Sequence, residues 1–127
     1  MNLKKCHCGA LQEFEKCCEP ILKNTIKAAN AEELMRSRYS AYVTHNATYL
    51  LATTVSCDRA VHSFDAILHW AKANTWLELV IIEATYNFVE FKAYYIDAYK
   101  KKHIHHERST FVLENKEWFY VNGVLFN

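Results

Sequence analysis

The chain has 127 residues, a formal net charge of +1 with the cysteines counted as neutral thiols, and 51% hydrophobic residues. This length suits one ordinary domain with a single core, and a composition with only two Gly and one Pro excludes a disordered or collagen-like chain. The balanced charge indicates no nucleic-acid surface, no stretch approaches the roughly 20 apolar residues of a membrane span, and the N-terminus lacks the apolar centre of a signal peptide.

The first feature along the chain is a cluster of four of its five cysteines, Cys6-His7-Cys8-Gly9 followed by Cys17-Cys18. We expect a cytoplasmic protein, in which thiols stay reduced and clustered cysteines bind metal more often than they form disulfides. A Cys-x-Cys turn, eased by Gly9, aims two thiolates at one point, and the adjacent pair closes the site. The cluster predicts one structural Zn²⁺ with Cys6, Cys8, Cys17 and Cys18 as a closed tetrahedral ligand set.

Four clustered thiols are also compatible with other chemistry. Disulfides would strain the vicinal Cys17-Cys18 pair, a redox relay more typically has Cys-x-x-Cys spacing, and the compact spacing suits a single ion better than an iron–sulfur cluster. His7 is an alternative ligand in place of one cysteine. In the zinc interpretation, the metal holds together a small knuckle over residues 1–20.

The spacing C-x-C-x8-C-C resembles the SEC-C motif, a zinc knuckle found at the C-terminus of the SecA translocation motor and attached to many other domains. That motif commonly begins Cys-Pro-Cys-Gly-Ser-Gly. Here His7, Ala10 and Leu11 replace the Pro, the Ser and the second Gly, while all four ligands are present. Because the knuckle of the motor contacts a chaperone partner, the resemblance implies protein docking as one role.

Helical patterns follow the cysteine cluster. Pro20 marks the end of the knuckle and suits an early helix position or a turn. Asn30 is a good N-cap and Glu33 stands three residues later, as in a capping box. Asp58 is the predicted cap of a later helix, whose apolar stripe is Val61, Phe64, Leu68 and Ala71. The predicted helices cover about 31–44, 48–53 and 58–74.

From Trp76 onward, the sequence becomes rich in β-branched and aromatic residues that alternate with polar ones, which indicates strands. The connections are too short for helical crossovers, so neighbouring strands must be antiparallel. The result is an α+β fold, with helices packed on one face of a curved antiparallel sheet in residues 21–127. The predicted strands cover 76–84, 86–99, 104–114 and 117–122, with turns near Thr85, Lys100–Lys102 and Asn115-Lys116.

The third predicted strand places a carboxylate on the face that should point to the core. Glu107 and Ser109 alternate in phase with the apolar Phe111 and Leu113, so they face inward if those residues do. A buried carboxylate without a partner is costly, and Arg38 lies on or beside the apolar face of the 31–44 helix. An Arg38–Glu107 pair is therefore expected.

This predicted pair has two interpretations. In the first, it is a buried ion pair that fixes how the helix meets the sheet. In the second, a pocket between helices and sheet is lined by Arg38, Tyr39, Tyr42, Glu107 and Ser109, as is typical of ligand sites with a few convergent polar groups.

The other polar and aromatic candidates have simpler interpretations. His103, His105 and His106 are expected to be solvated or hydrogen-bonded rather than metal-binding. Cys57 is expected to be a packing or surface thiol. The three tryptophans, Trp70, Trp76 and Trp118, are expected in the core and at its rim.

Nearly the whole chain resembles the YchJ-like family of bacterial proteins. The resemblance rests on Leu34-Met35-Arg36-Ser37-Arg38-Tyr39-Ser40-Ala41-Tyr42, on Tyr49-Leu50 with Thr53, on His106-Glu107-Arg108-Ser109-Thr110-Phe111 and on Trp118-Phe119-Tyr120-Val121-Asn122-Gly123. It implies a SEC-C knuckle followed by a nuclear transport factor 2-like domain, with a cone-shaped cavity between a strongly bent sheet and its helices. Ketosteroid isomerase and scytalone dehydratase share that fold, but neither active-site motif is present here.

Two functions follow from these observations. The first is a non-catalytic zinc protein whose knuckle docks a partner and whose cavity is filled or binds a small ligand. The alternative is a small isomerase- or dehydratase-like enzyme that uses acid–base chemistry in the cavity, with Glu107 as acid or base and Arg38 or a tyrosine stabilising developing negative charge.

Overall fold

A computed structural model describes residues 5–55 and 63–126 of the chain. Cys57 and the start of the helix predicted near Asp58 lie outside these ranges. The described elements, in chain order, are a 3-10 turn at Phe14–Lys16, α1 at Cys18–Leu22, α2 at Ala31–Val43, α3 at Ala47–Ala52, α4 at Phe64–Ala73, β1 at Thr75–Ala84, β2 at Phe88–Ile96, β3 at Lys102–Glu114 and β4 at Glu117–Leu125.

Helix α2 begins where its capping residues predict. The Asn30 side chain accepts a hydrogen bond from the Glu33 amide at 2.8 Å, which satisfies one of the free amides of the first turn. The Glu33 carboxylate reaches back to the Ala29 amide at 2.9 Å, one residue earlier than in a standard capping box. Helix α4 has Ser63 as its cap, since the Ser63 side chain accepts from the Ala66 amide.

The four strands form one antiparallel sheet in the order β1-β2-β3-β4, as predicted. The β3–β4 turn consists of Asn115 and Lys116, both in the left-handed region, which matches the twist of a tight hairpin. Register shifts interrupt the ladder between Trp76 and Glu78, between Ile81 and Glu83, and between Thr110 and Phe111. Such irregularities bend strands and allow a sheet to curve around the helices.

The core lies between α2 and the inner face of this sheet. Its buried members come from α2, from β1 to β4, and from the cysteine segment, so the cysteine cluster packs against the same core as the rest of the chain. The predicted division between residues 1–20 and 21–127 falls inside α1 and stays a prediction. The core cluster includes Cys6, Cys8, Cys18, Leu34, Met35, Tyr39, Leu79, Val89, Phe91, Phe111 and Trp118.

Across the two described ranges, no helix combines the length and the apolar character needed to traverse a lipid bilayer.

Candidate functional site

The four clustered cysteines bring their sulfur atoms to one point. All four Sγ atoms lie within 4.8 Å of one another, and the Sγ atoms of Cys8 and Cys17 are 3.7 Å apart. Two sulfurs bound to the same zinc at about 2.3 Å in tetrahedral geometry are separated by about 3.8 Å. The donor set and its spacing therefore fit one tetrahedral ion with little adjustment. In the described part of the chain, no other group of three or more metal-binding side chains is found.

A short hairpin presents the first two cysteines. Lys5 and Glu13 form an antiparallel bridge, and the Cys6 amide donates to the Gln12 carbonyl at 2.7 Å. Gly9 turns the chain with φ of +90°, a conformation that other residues adopt only with strain. A side chain there would also meet the Leu79 carbonyl oxygen at 3.2 Å. The turn that aims Cys6 and Cys8 is thus also the point where the hairpin approaches β1.

Two side chains of helix α2 contact the cysteine cluster. The Ser40 hydroxyl lies 3.7 Å from the Cys6 sulfur, and Arg36 Nη1 donates to the Cys8 carbonyl at 2.7 Å. The Arg36 Nε is held in turn by Glu32 at 2.9 Å. Groups of this kind orient metal ligands and tune their basicity. Cys6, Cys8 and Cys18 are buried, whereas Cys17 is half-buried.

The thiols do not titrate independently, because each one affects its neighbours. Hydrogen bonds from Cys18 and Cys8 hold the pKa of Cys6 far below its usual value. Burial, followed by the nearby charge on Cys8, raises the pKa of Cys17 to about 12. The hydrogen bond to Cys6 raises the pKa of Cys18. Four thiolates this close together need a cation between them, which is the chemistry of a metal site.

A second candidate site is a cavity of about 190 Å³ between α2, α4 and the inner face of the sheet. All five residues predicted from the sequence line it, and they do so together with Trp70, Trp76, His105 and Tyr120. Such a volume is below the roughly 300–1,000 Å³ of pockets for drug-sized ligands. The five residues predicted to line a pocket are Arg38, Tyr39, Tyr42, Glu107 and Ser109.

The predicted direct pair between Arg38 and Glu107 is wrong. Arg38 Nη1 instead donates to the Leu50 carbonyl at 2.9 Å and to Thr53 Oγ1 at 2.7 Å. Tyr120 contacts both charges, because the Arg38 guanidinium lies over its ring, 4.6 Å from the centroid, and the Tyr120 hydroxyl donates to Glu107 at 3.0 Å. Helical and strand periodicity places both charges on the core side, but it carries no information on the partners that each one takes.

The Glu107 carboxylate has three partners on the sheet itself. His105 Nε2 lies 2.7 Å from Oε1, and both the Ser109 hydroxyl and the Tyr120 hydroxyl donate to Oε2. Burial alone would raise the pKa of Glu107, but the hydrogen bonds from His105 and Ser109 and the charge of His105 outweigh it and hold the pKa below its usual value. An ionised Glu107 therefore fixes His105 with its Nε2–H toward the carboxylate.

Gly123 makes the space in which this carboxylate sits. It pairs with Ser109 across β3 and β4, and a Cβ placed there would overlap Oε2 and Cδ of Glu107 and lie 2.7 Å from Cγ. The φ of Gly123 is outside the left-handed region, so space and not backbone conformation requires glycine here. An isolated glycine within a strand often marks such a close approach, and this signal in the sequence could have located the carboxylate.

Aromatic rings form the wall of the cavity nearest α4. Trp70 and Trp76 have ring centroids 5.0 Å apart, and Tyr42 lies 5.7 Å from Trp70 and 5.4 Å from Trp76. The Trp76 indole N–H donates to the Ala71 carbonyl at 3.1 Å, which fixes that ring. Trp118 is a buried core residue elsewhere, beside Tyr86. The cavity thus combines an apolar wall with a polar floor.

The three histidines of β3 are hydrogen-bonded, as expected, and each has its own carboxylate. His103 pairs with Asp97 at 2.7 Å and His106 with Glu90 at 2.9 Å, whereas His105 pairs with Glu107. Of these three pairs, only the pair of His105 and Glu107 lines the cavity.

The depressed pKa of Glu107 predicts a pH effect on stability. A carboxyl whose pKa is lower in the folded state contributes stability above its unfolded pKa of about 4.3, and this contribution is lost as the pH falls toward the folded pKa. In urea unfolding from about pH 7 to about pH 3, wild type should therefore lose stability more steeply below about pH 4.5 than Glu107→Gln does. Glu114→Gln, at the exposed end of the same strand, is the control and should follow wild type. Parallel curves for wild type and Glu107→Gln would refute the assignment.

Comparisons with known proteins agree with the fold and the cysteine cluster. The family model described as the YchJ middle NTF2-like domain matches residues 30–123. A UPF0225 protein of Serratia proteamaculans is 38% identical over 125 residues, covering 93% of this chain and 81% of the relative. A UPF0225 protein of Vibrio cholerae is 40% identical over 124 residues, with coverage of 93% and 81%.

Solved structures extend the likeness to the cysteine segment. The solution structure of a SEC-C motif containing protein from Rhodopseudomonas palustris superposes with a TM-score of 0.88 at 32% identity and covers 100% of both chains. The crystal structure of a SEC-C motif containing protein from Psychrobacter arcticus gives a TM-score of 0.81 at 28% identity, with 100% of this chain and 84% of the other covered.

Proposed function

This chain belongs to the YchJ family, and we propose that it is a zinc-stabilised, non-catalytic binding protein whose cavity takes a small ligand. The observation that carries the proposal is the closed set of four thiols seated on α2. Bound by four thiolates, Zn²⁺ has no open position for water or substrate, so it would supply structure and not catalysis. A reducing cytoplasm is the compartment in which these free thiols persist.

The zinc would act on the cavity through α2. Ser40 and Arg36 contact the cysteine segment, and Arg38, Tyr39 and Tyr42 of the same helix line the cavity. Metal binding would therefore fix the position of the helix that carries most of the predicted pocket residues. This arrangement supports a metal with a structural role in a ligand-binding protein.

Three tryptophans provide a direct test of ligand binding. Trp70 and Trp76 line the cavity and Trp118 does not, so the three indole N–H signals separate binding in the cavity from a global change. In a nitrogen-15 NMR screen of small aromatic compounds, a cavity ligand should shift the Trp70 and Trp76 signals and leave Trp118 in place. If no compound shifts them up to millimolar concentration, or if all three always shift together, the cavity is not a ligand site.

A protein partner at the knuckle is the other part of this function. Leu11, at the tip of the cysteine hairpin, has an apolar side chain that is 84% exposed. A docked partner would cover it. Leu11→Ser would remove this contact without changing the four thiols, whereas replacement of a cysteine would affect both.

The pairing of His105 with Glu107 favours a second candidate, an acid–base enzyme. Glu107 itself is a poor base, because three donors occupy its oxygens and its pKa is lowered. It would instead orient His105, which lines the cavity and whose Nδ1 has no hydrogen-bond partner among the described residues, as carboxylates do for catalytic histidines. Turnover of a cavity ligand that is lost in His105→Gln but retained in His103→Gln would favour this function over simple binding.

A further inference from the structure

Arg38 is a buried cation with no counter-ion among the residues that the structure describes. Its side chain is on the core side of α2, the residue is only 7% exposed, and it forms no ion pair with any carboxylate of the described residues. An uncompensated charge in an apolar setting is costly, whereas a pair of hydrogen bonds to an anion would recover much of that cost. Among the described residues, Arg38 therefore lacks the anionic partner that would offset the cost of burying its charge.

Only part of the guanidinium is occupied. Nη1 donates to the Leu50 carbonyl and to Thr53 Oγ1, and one face of the group lies over the Tyr120 ring. Nε and Nη2 form no hydrogen bond with any residue in ranges 5–55 and 63–126, and Arg38 lines the cavity. The Nε–Nη2 edge can bind a carboxylate with two parallel hydrogen bonds.

Glu107, the carboxylate that faces the same cavity, does not take this place. Its oxygens already accept hydrogen bonds from His105, Ser109 and Tyr120, and it forms no ion pair with Arg38. Its three donors also weaken the repulsion that it would exert on a second anion. The Tyr42 hydroxyl, which has no hydrogen-bond partner among the described residues, offers a further donor at the cavity.

We propose that the cavity binds a small carboxylic acid as its anion, with the carboxylate on the Nε–Nη2 edge of Arg38 and the apolar body against Trp70 and Trp76. This inference rests on the proposed ligand-binding function and adds the charge and size of the ligand. The cavity volume of about 190 Å³ limits that body to about one ring.

Benzoate, neutral benzamide and cationic benzylamine test the charge at nearly constant size. Titrations of nitrogen-15 labelled wild type at neutral pH follow the Arg38 Nε–H signal and the indole signals of Trp70 and Trp76. Benzoate should move all three together and bind at least about tenfold more tightly than benzamide, since charge-assisted hydrogen bonds are the strong ones. Benzylamine should bind most weakly.

Arg38→Met should weaken the affinity for benzoate at least about tenfold and leave the affinity for benzamide nearly unchanged. Arg108→Met is the matched control, because Arg108 packs over Phe88 and pairs with Glu83 away from the cavity. If Arg38→Met fails to fold, the shift of the Arg38 Nε–H signal of wild type on addition of benzoate tests the proposal instead. Equal affinity for benzoate and benzamide, tighter benzylamine, or an unmoved Arg38 signal overturns the anion proposal and leaves ligand binding standing. Absence of binding by all three probes also overturns the anion proposal, whereas ligand binding itself fails only if the wider screen of aromatic compounds gives no shift of the Trp70 and Trp76 signals.

Discussion

Replacing Cys8 with serine should abolish binding of the proposed zinc ion and lower the stability of the whole chain, not only that of the cysteine segment. Cys8 is fully buried, its sulfur lies 3.7 Å from that of Cys17, and its carbonyl accepts a hydrogen bond from Arg36 on α2. Loss of a structural metal is among the few single changes that cost more than about 4 kcal/mol. For a chain of this length we expect the Tm to fall by more than about 10 °C.

The experiment compares metal content and thermal unfolding of Cys8→Ser with those of Cys57→Ser, which removes the fifth cysteine. Cys57→Ser should keep the metal. Chelation of wild type should reproduce the loss seen in Cys8→Ser. If Cys8→Ser keeps its metal, Cys8 is not a ligand. If it loses the metal with no change in the unfolding of α2 and the sheet, the cysteine segment is an independent knuckle and does not stabilise the rest of the chain.

Replacing Gly123 with alanine should be nearly as damaging, although Gly123 is exposed. The new Cβ would occupy the space of the Glu107 carboxylate, which must then abandon at least one of its hydrogen bonds to His105, Ser109 and Tyr120. Overpacking of this kind costs about 1–3 kcal/mol, and a displaced buried carboxylate brings the expected total to about 3 kcal/mol. Urea unfolding measures the change in the free energy of unfolding.

A double-mutant cycle identifies the cause. With Glu107→Ala, the carboxylate is gone and Gly123→Ala should cost at least about 1 kcal/mol less than in wild type, because the two residues are in contact. Asn122→Ala, one position earlier on β4, should change stability by less than about 0.5 kcal/mol. Equal costs of Gly123→Ala in the two backgrounds would show that the glycine has another role.

Local chemistry made much of the fold predictable. The Asn30 cap and the apolar spacing after it gave the start and length of α2, and the alternation of β-branched and aromatic residues gave four strands joined by connections too short for crossovers. The family resemblance added the cone-shaped arrangement of sheet and helices. These features depend on residues close together in sequence, which is the information that a single sequence carries best.

The contacts that define the cavity floor depend on residues far apart in sequence. Alternation along β3 correctly places His105 on the same side as Glu107. The direction of the Arg38 guanidinium, in contrast, is set by its hydrogen bonds to Leu50 and Thr53. Tyr120 lies at the cavity because its backbone forms hydrogen bonds with Thr53 and Val55, which fix this part of β4. Neither contact has a signature in local periodicity, and for this reason the direct Arg38–Glu107 pair was predicted in error.

The proposed function depends most on one structural zinc ion that the four cysteines would hold. Elemental analysis of protein purified without chelator measures it most directly. We expect close to one equivalent of zinc per chain in wild type and none in Cys8→Ser. Fewer than about 0.5 equivalents of zinc in wild type, or iron in its place, would contradict high-affinity tetrahedral thiolate binding of zinc.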